Sequence, residues 1–103
     1  MLICIDAGHC LSTPGKRCLK SIDPGETREW GLNSRVADKL EAILAGYDCR
    51  TMRVDDVTGQ RDVALSQRVA AANRAKADVY LSIHHNAGIN GGSGGGIAYT
   101  WEQ

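Results

Sequence analysis

Short apolar runs and stretches with helical spacing alternate along this chain, and they set its framework. Leu2 to Asp6, with Leu2, Ile3 and Ile5 around Cys4, has the make-up of a buried strand. Ala7-Gly8-His9 reads as a tight turn in which the glycine lets the backbone bend closely. Residues 10–25 hold Pro14, Gly15, Pro24 and Gly25 and read as a long surface loop. A helix is predicted from near Arg28 or Glu29 to about Ala45. Val36, Leu40, Ile43 and Leu44 fall at i, i+4, i+7 and i+8 and predict its core face, with Arg35, Asp38, Lys39 and Glu41 largely off that stripe. Gly46 is expected to end it as a C-cap.

The second half repeats the alternation. Tyr47 to Arg53 reads as a more polar strand, and Val54 to Asp62 as a loop. Roughly Ala64 to Lys76 reads as a short helix with Leu65, Val69, Ala72 and Lys76 at helical spacing, held by packing rather than propensity. Asp78 to His84 is a third strand, Gly88 to Gly96 a glycine-rich loop, and Ile97 to Trp101 a last strand. The order β-α-β-α-β-β predicts an α/β fold: a mostly parallel sheet with helices on both faces and right-handed crossovers.

Composition narrows the partners. The 103 residues allow one domain, and 12 basic residues balance 12 acidic ones, so no global field favours nucleic acid or an anionic membrane. No apolar run reaches the roughly 18 residues of a membrane span. The start, Met-Leu-Ile-Cys-Ile-Asp, lacks the features of a signal peptide. The expectation is cytoplasmic synthesis, with release by some other agent if the protein acts outside. Cys4, Cys10, Cys18 and Cys49 show no C-x-x-C spacing, and reduced thiols are expected. Cys4 and Cys49 fall in predicted strands as small core residues, and Cys10 reads as a loop cysteine beside His9.

Candidate chemistry sits at the strand ends. His9 and His84 each close an apolar strand, and Glu29 opens the first helix, so all three are expected on the carboxyl edge of the sheet. Two histidines and a glutamate with one open position form a hydrolytic zinc arrangement, whose affinity falls in acid because imidazole must be neutral to bind. The competing reading makes the histidines hydrogen-bonding loop edges and Glu29 an acid favourably placed at a helix N-terminus. H-E-x-x-H is absent. Gly91 to Gly96 precedes a strand and lacks a following Gly-Lys-Ser/Thr, which excludes a phosphate loop. Asp55-Asp56 reads as a solvated turn, with a salt bridge to Arg53 or Arg61 as the other option. Arg68 is either an ionic anchor for the second helix or a site for a substrate carboxylate.

Several segments resemble one family in order along the chain. Ile3-Cys4-Ile5-Asp6-Ala7-Gly8-His9, Glu29-Trp30-Gly31-Leu32-Asn33, Thr51-Met52-Arg53, Leu65-Ser66-Gln67-Arg68 with Ala72-Asn73 and Ala77-Asp78, and Ser82-Ile83-His84-His85-Asn86-Ala87 look like the zinc-dependent N-acetylmuramoyl-L-alanine amidases of the amidase-3 family. The resemblance implies that His9, Glu29 and His84 are zinc ligands; Glu26 competes with Glu29 but lacks an asparagine at the matching distance. It also implies cleavage of the amide between N-acetylmuramic acid and L-alanine in peptidoglycan, with His85 and Asn86 lining the cleft. Members of the family continue further and carry a general-base glutamate on a later strand. Glu102 matches no family motif, so the catalytic base is unassigned, and residues 1–103 are expected to be an amidase domain incomplete at its C-terminus. A further segment or second chain is then expected to complete the sheet. The missing base leaves open a catalytically silent zinc- or peptidoglycan-binding fragment. The missing leader suggests a lysin of phage or prophage type.

Overall fold

A computed structural model of the chain describes residues 1–86. These form β1 (Leu2–Ala7), α1 (Glu29–Leu44), β2 (Arg50–Arg53), α2 (Leu65–Arg74) and β3 (Val79–Ile83), in the expected alternating order. The glycine-rich loop and the strand expected over Ile97 to Trp101 lie outside the described residues.

The described sheet is parallel throughout and ordered β2-β1-β3. β1 takes the centre because it is the most apolar strand, as a parallel strand covered on both faces must be. Cys4, Ile5 and Ala7 are fully buried in it. Odd positions of β1 face α1: Ile5 and Ala7 pack with Trp30 and Ala37, and Ile3, Leu40, Leu44 and Ile83 surround them. Even positions face α2, where Cys4, Val54 and Ala72 form a second cluster bordered by Met52 and Tyr80. The helices thus cover opposite faces, as the alternation predicts.

Four local expectations differ from the structure. β2 begins at Arg50, not Tyr47, because residues after α1 are used to close the helix: the Tyr47 N–H donates to Leu44 O at 2.9 Å. Cys49 therefore precedes the strand, half-buried, with its thiol 3.5 Å from Leu44 O. Gly46 is not a left-handed cap; Ala45 caps the helix in a right-handed conformation. Each helix turns only part of its expected apolar stripe inward: Leu40 and Leu44 of α1 and Ala72 of α2. α1 buries Trp30, Asn33, Ser34 and Ala37, while Val36 and Ile43 face out. α2 buries Arg68 and Ala72, while Leu65 and Val69 are exposed. In each helix a polar side chain with buried partners takes the inward position that periodicity assigns to an aliphatic one.

The long loop after β1 is held to the rest. Arg17 and Arg28 form an antiparallel bridge, and the Glu29 N–H donates to Lys16 O at 3.0 Å, which fixes where α1 starts. Cys10 is buried, and its Sγ lies 3.4 Å from the hydroxyls of Ser12 and Thr13. All four cysteines are free thiols.

Candidate metal centre

Three elements deliver one side chain each to the carboxyl edge of the sheet. His9 comes from the turn after β1, Glu29 from the first residue of α1 and His84 from the residue after β3. Their ligand-capable atoms all lie within 4.8 Å of one another. Glu29 Oε2 is 3.4 Å from His9 Nε2 and 3.2 Å from His84 Nδ1. The two imidazoles meet edge-on, with centroids 4.9 Å apart. Zinc–nitrogen and zinc–oxygen bonds of about 2.0–2.2 Å give a tetrahedral ligand–ligand edge of about 3.4 Å. The donor types suit zinc, and the two separations from Glu29 lie near that edge. Glu26 is elsewhere, facing Arg17 at 4.0 Å.

Asn33 ties the three elements together. It is fully buried one turn into α1, and its Nδ2 donates to Glu29 Oε2 at 3.0 Å and to Gly8 O at 3.1 Å. With both Nδ2 protons engaged, Oδ1 is the acceptor left for His85 Nδ1 at 2.7 Å. In a neutral imidazole that contact puts the proton on Nδ1 and leaves Nε2 as an acceptor. The His85 backbone N–H also donates to Glu29 Oε2 at 3.3 Å. Asn86 is exposed and takes no part in these bonds.

Electrostatics favour the metal-binding protonation states. Burial pushes the His9 imidazole down against the pull of Glu29, and the net shift is downward, towards neutral imidazole. Burial pushes Glu29 up, but the hydrogen bonds of Asn33 and the His85 N–H, with the two histidines, outweigh it and hold the carboxyl below its ordinary value.

Two further features position His9 and His84. Gly8 is required not for a left-handed turn but for space, since a Cβ there would lie 2.2 Å from the His84 ring. The Gly8 N–H donates to Ile83 O at 3.0 Å, clamping the β1 and β3 ends together. His9 itself has φ 69°, a left-handed conformation that only surrounding contacts can hold. Arg68 supplies them. It is buried, pairs with Asp6, and donates to Ala7 O at 2.8 Å and His9 O at 3.2 Å. Asp6 is in turn bonded by the Tyr80 hydroxyl. Arg68 is thus the ionic anchor, with its donors spent inside the fold.

Asp55 departs from the solvated-turn reading. It is buried, accepts from Arg53 Nε and Nη2 at 2.7 Å each, and accepts from Trp30 Nε1 at 2.9 Å. Asp56 does form the turn, accepting from Thr58 and from the Arg61 N–H. A recess of about 700 Å³ lies between this turn and α2, lined by Arg53, Asp55, Arg61, Gln67 and Arg74 among others. It holds none of the three clustered residues, so chemistry rather than size locates the site. Asn33, Arg68, Asp6 and Gly8 are the supporting residues that spacing alone does not reveal; the Glu29-to-Asn33 interval and the paired Asp6 and Arg68 within motifs were the available signals.

The described residues thus form an α/β domain with a His–Glu–His donor set where three elements meet at the carboxyl edge of a parallel sheet. The chain belongs to the amidase-3 family, N-acetylmuramoyl-L-alanine amidase, which matches residues 3–103. No match was found among curated proteins. Similar solved structures include the catalytic domain of CwlV, an N-acetylmuramoyl-L-alanine amidase from Bacillus (Paenibacillus) polymyxa var. colistinus, at 28% identity and TM-score 0.74 over 89% of this chain and 49% of that one. The N-acetylmuramoyl-L-alanine amidase of Clostridium difficile 630 aligns at 29% identity and TM-score 0.74, covering 92% and 48%. AmiC2 of Nostoc punctiforme, also an N-acetylmuramoyl-L-alanine amidase, aligns at 28% and 0.68, covering 84% and 44%. The chain spans about half the length of these solved relatives.

Proposed function

We propose that this chain is the metal-holding part of a zinc-dependent amidase that hydrolyses the bond between N-acetylmuramic acid and L-alanine in peptidoglycan. The observation that carries the reading is the convergence of His9, Glu29 and His84 within 4.8 Å. These three residues would hold the ion. When bound, zinc supplies Lewis acidity, lowering the pKa of water towards about 7 and polarising a carbonyl. The chain's own residues do the positioning. Asn33 and the His85 N–H hold Glu29 ionised and oriented, Arg68 fixes the carbonyl of His9, and Gly8 leaves room for the His84 ring. His85 and Asn86, which follow His84 in the chain, would meet the substrate.

A second reading, a zinc- or peptidoglycan-binding module without turnover, is favoured by one observation. Among the described residues the cluster contains a single carboxylate, Glu29, which is itself one of the donors. A general base separate from this donor is worth about 10²–10⁴-fold.

Purified chain, zinc and isolated peptidoglycan separate the two, scored by newly exposed L-alanine amino groups. Release above a chelator-treated control is the expected result. Zinc uptake without release would establish the binding module, and neither would overturn both readings.

A further inference from the structure

The outer face of α1 carries a groove that begins at the metal centre. Leu32, Arg35, Val36 and Lys39, with His85, line a recess of about 180 Å³. The helical members fall at i, i+3, i+4 and i+7, a single face. Val36 is 45% exposed there, a floor of apolar surface. Two acids of the same helix are engaged elsewhere: Asp38 lies 2.7 Å from Arg53 Nη1, and Glu41 accepts from the Thr51 hydroxyl at 3.1 Å. Arg35 and Lys39 have no acidic partner within 4.0 Å among the described residues. Both cations line the recess beside His85.

We infer that this groove binds the peptide half of the substrate, with Arg35 and Lys39 taking the carboxylates of an acidic peptide; this rests on the amidase reading above. Length supports the assignment. At a rise of about 1.5 Å per residue, Arg35 and Lys39 stand about 9 and 15 Å along the helix from Glu29. An extended peptide covers about 3.3–3.6 Å per residue. Laid from the metal centre along α1, it brings its third residue to Arg35 and its fourth or fifth to Lys39. A short stem peptide carries its free terminal carboxylate at that range. At the near end His85 offers an acceptor nitrogen, which suits a peptide N–H. Leu32 and Val36 suit the aliphatic parts between.

The test compares two synthetic probes on the zinc-loaded full chain: L-alanyl-L-alanyl-L-glutamyl-L-alanine, whose carboxylates fall on the third and fourth residues, and the same peptide with its carboxylates converted to carboxamides. Calorimetry gives the affinities, and a zinc titration runs alongside. The acid peptide should bind about fivefold or more tightly, a preference that shrinks as salt is raised. The double charge reversal R35E/K39E, on exposed positions, should erase the preference and leave zinc uptake unchanged. Equal binding of both probes, no binding of either, a preference that survives in R35E/K39E, or self-association of the chain through this face overturns the groove. Loss of the zinc site with the charge preference intact would overturn the amidase reading and leave the groove standing.

Discussion

At the scale of single residues the site is held by side chains that touch no substrate. Gly8→Ala places a Cβ where the His84 ring lies, 2.2 Å from its nearest atom. The ring must move, and zinc affinity should fall by about 10–100-fold, the usual cost of disturbing a ligand's support. Competition with a chromophoric chelator measures it. Asn33→Ala removes the bonds to Glu29 and Gly8 together and strands His85 Nδ1. It should lower zinc affinity by a similar factor and cost about 1–3 kcal/mol of stability. The convergence of His9, Glu29 and His84 was legible because each sits at the end of a predicted element, and three ends at one sheet edge is a simple geometric inference. Asn33 was visible only as a spacing. Its role depends on Gly8 O and His85, residues 25 and 52 positions away, which no local pattern connects.

At the scale of elements, their order along the chain and the helix positions followed from apolar runs and punctuation, while the helix faces did not. Periodicity assigns Val36 and Ile43 of α1 to the core because aliphatics usually go there. The fold instead turns Asn33 and Ser34 inward, where Asn33 serves the site and Ser34 accepts from Arg53 Nη2 at 3.2 Å. In α2, Arg68 takes the inward place of Leu65 or Val69, because the Asp6 carboxylate and two carbonyls need its donors. The Arg53–Asp55 pair joins the end of β2 to Trp30 of α1 in the same way, and its side chains are 7% and 0% exposed. Asp55→Ala leaves a buried guanidinium without its bidentate partner and should cost about 3–5 kcal/mol in denaturant unfolding. The pair also sets an acid limit. Burial pushes Asp55 up, but Arg53 and Trp30 outweigh it and hold the carboxyl below its ordinary value. A carboxyl depressed on folding gives its full stabilisation above the unfolded pKa of about 3.9 and loses it as pH falls further, through the folded value. Thermal unfolding followed below pH 4 should show a steeper loss for the wild type than for Asp55→Ala.

At the scale of the whole molecule, a short parallel sheet with helices on both faces brings three distant chain positions together at one edge. β3 lies at the border of the described sheet, with Val79 and Leu81 each 41% exposed on the face that α1 shares with Ile3 and Ile5. Leu65, at 68%, adds a second exposed aliphatic on the α2 side. Exposed aliphatics promote association, so the purified chain should grow in hydrodynamic size with concentration. Leu81→Lys should reduce that growth without altering zinc uptake.

The central claim is that His9, Glu29 and His84 form one zinc site, and a metal titration tests it most directly. Metal-free chain titrated with Zn²⁺ against a competing chelator should take up one ion, with uptake falling in acid as imidazoles protonate. His84→Ala, with unchanged circular dichroism, should lose that uptake. Equal zinc binding by wild type and His84→Ala would contradict the account.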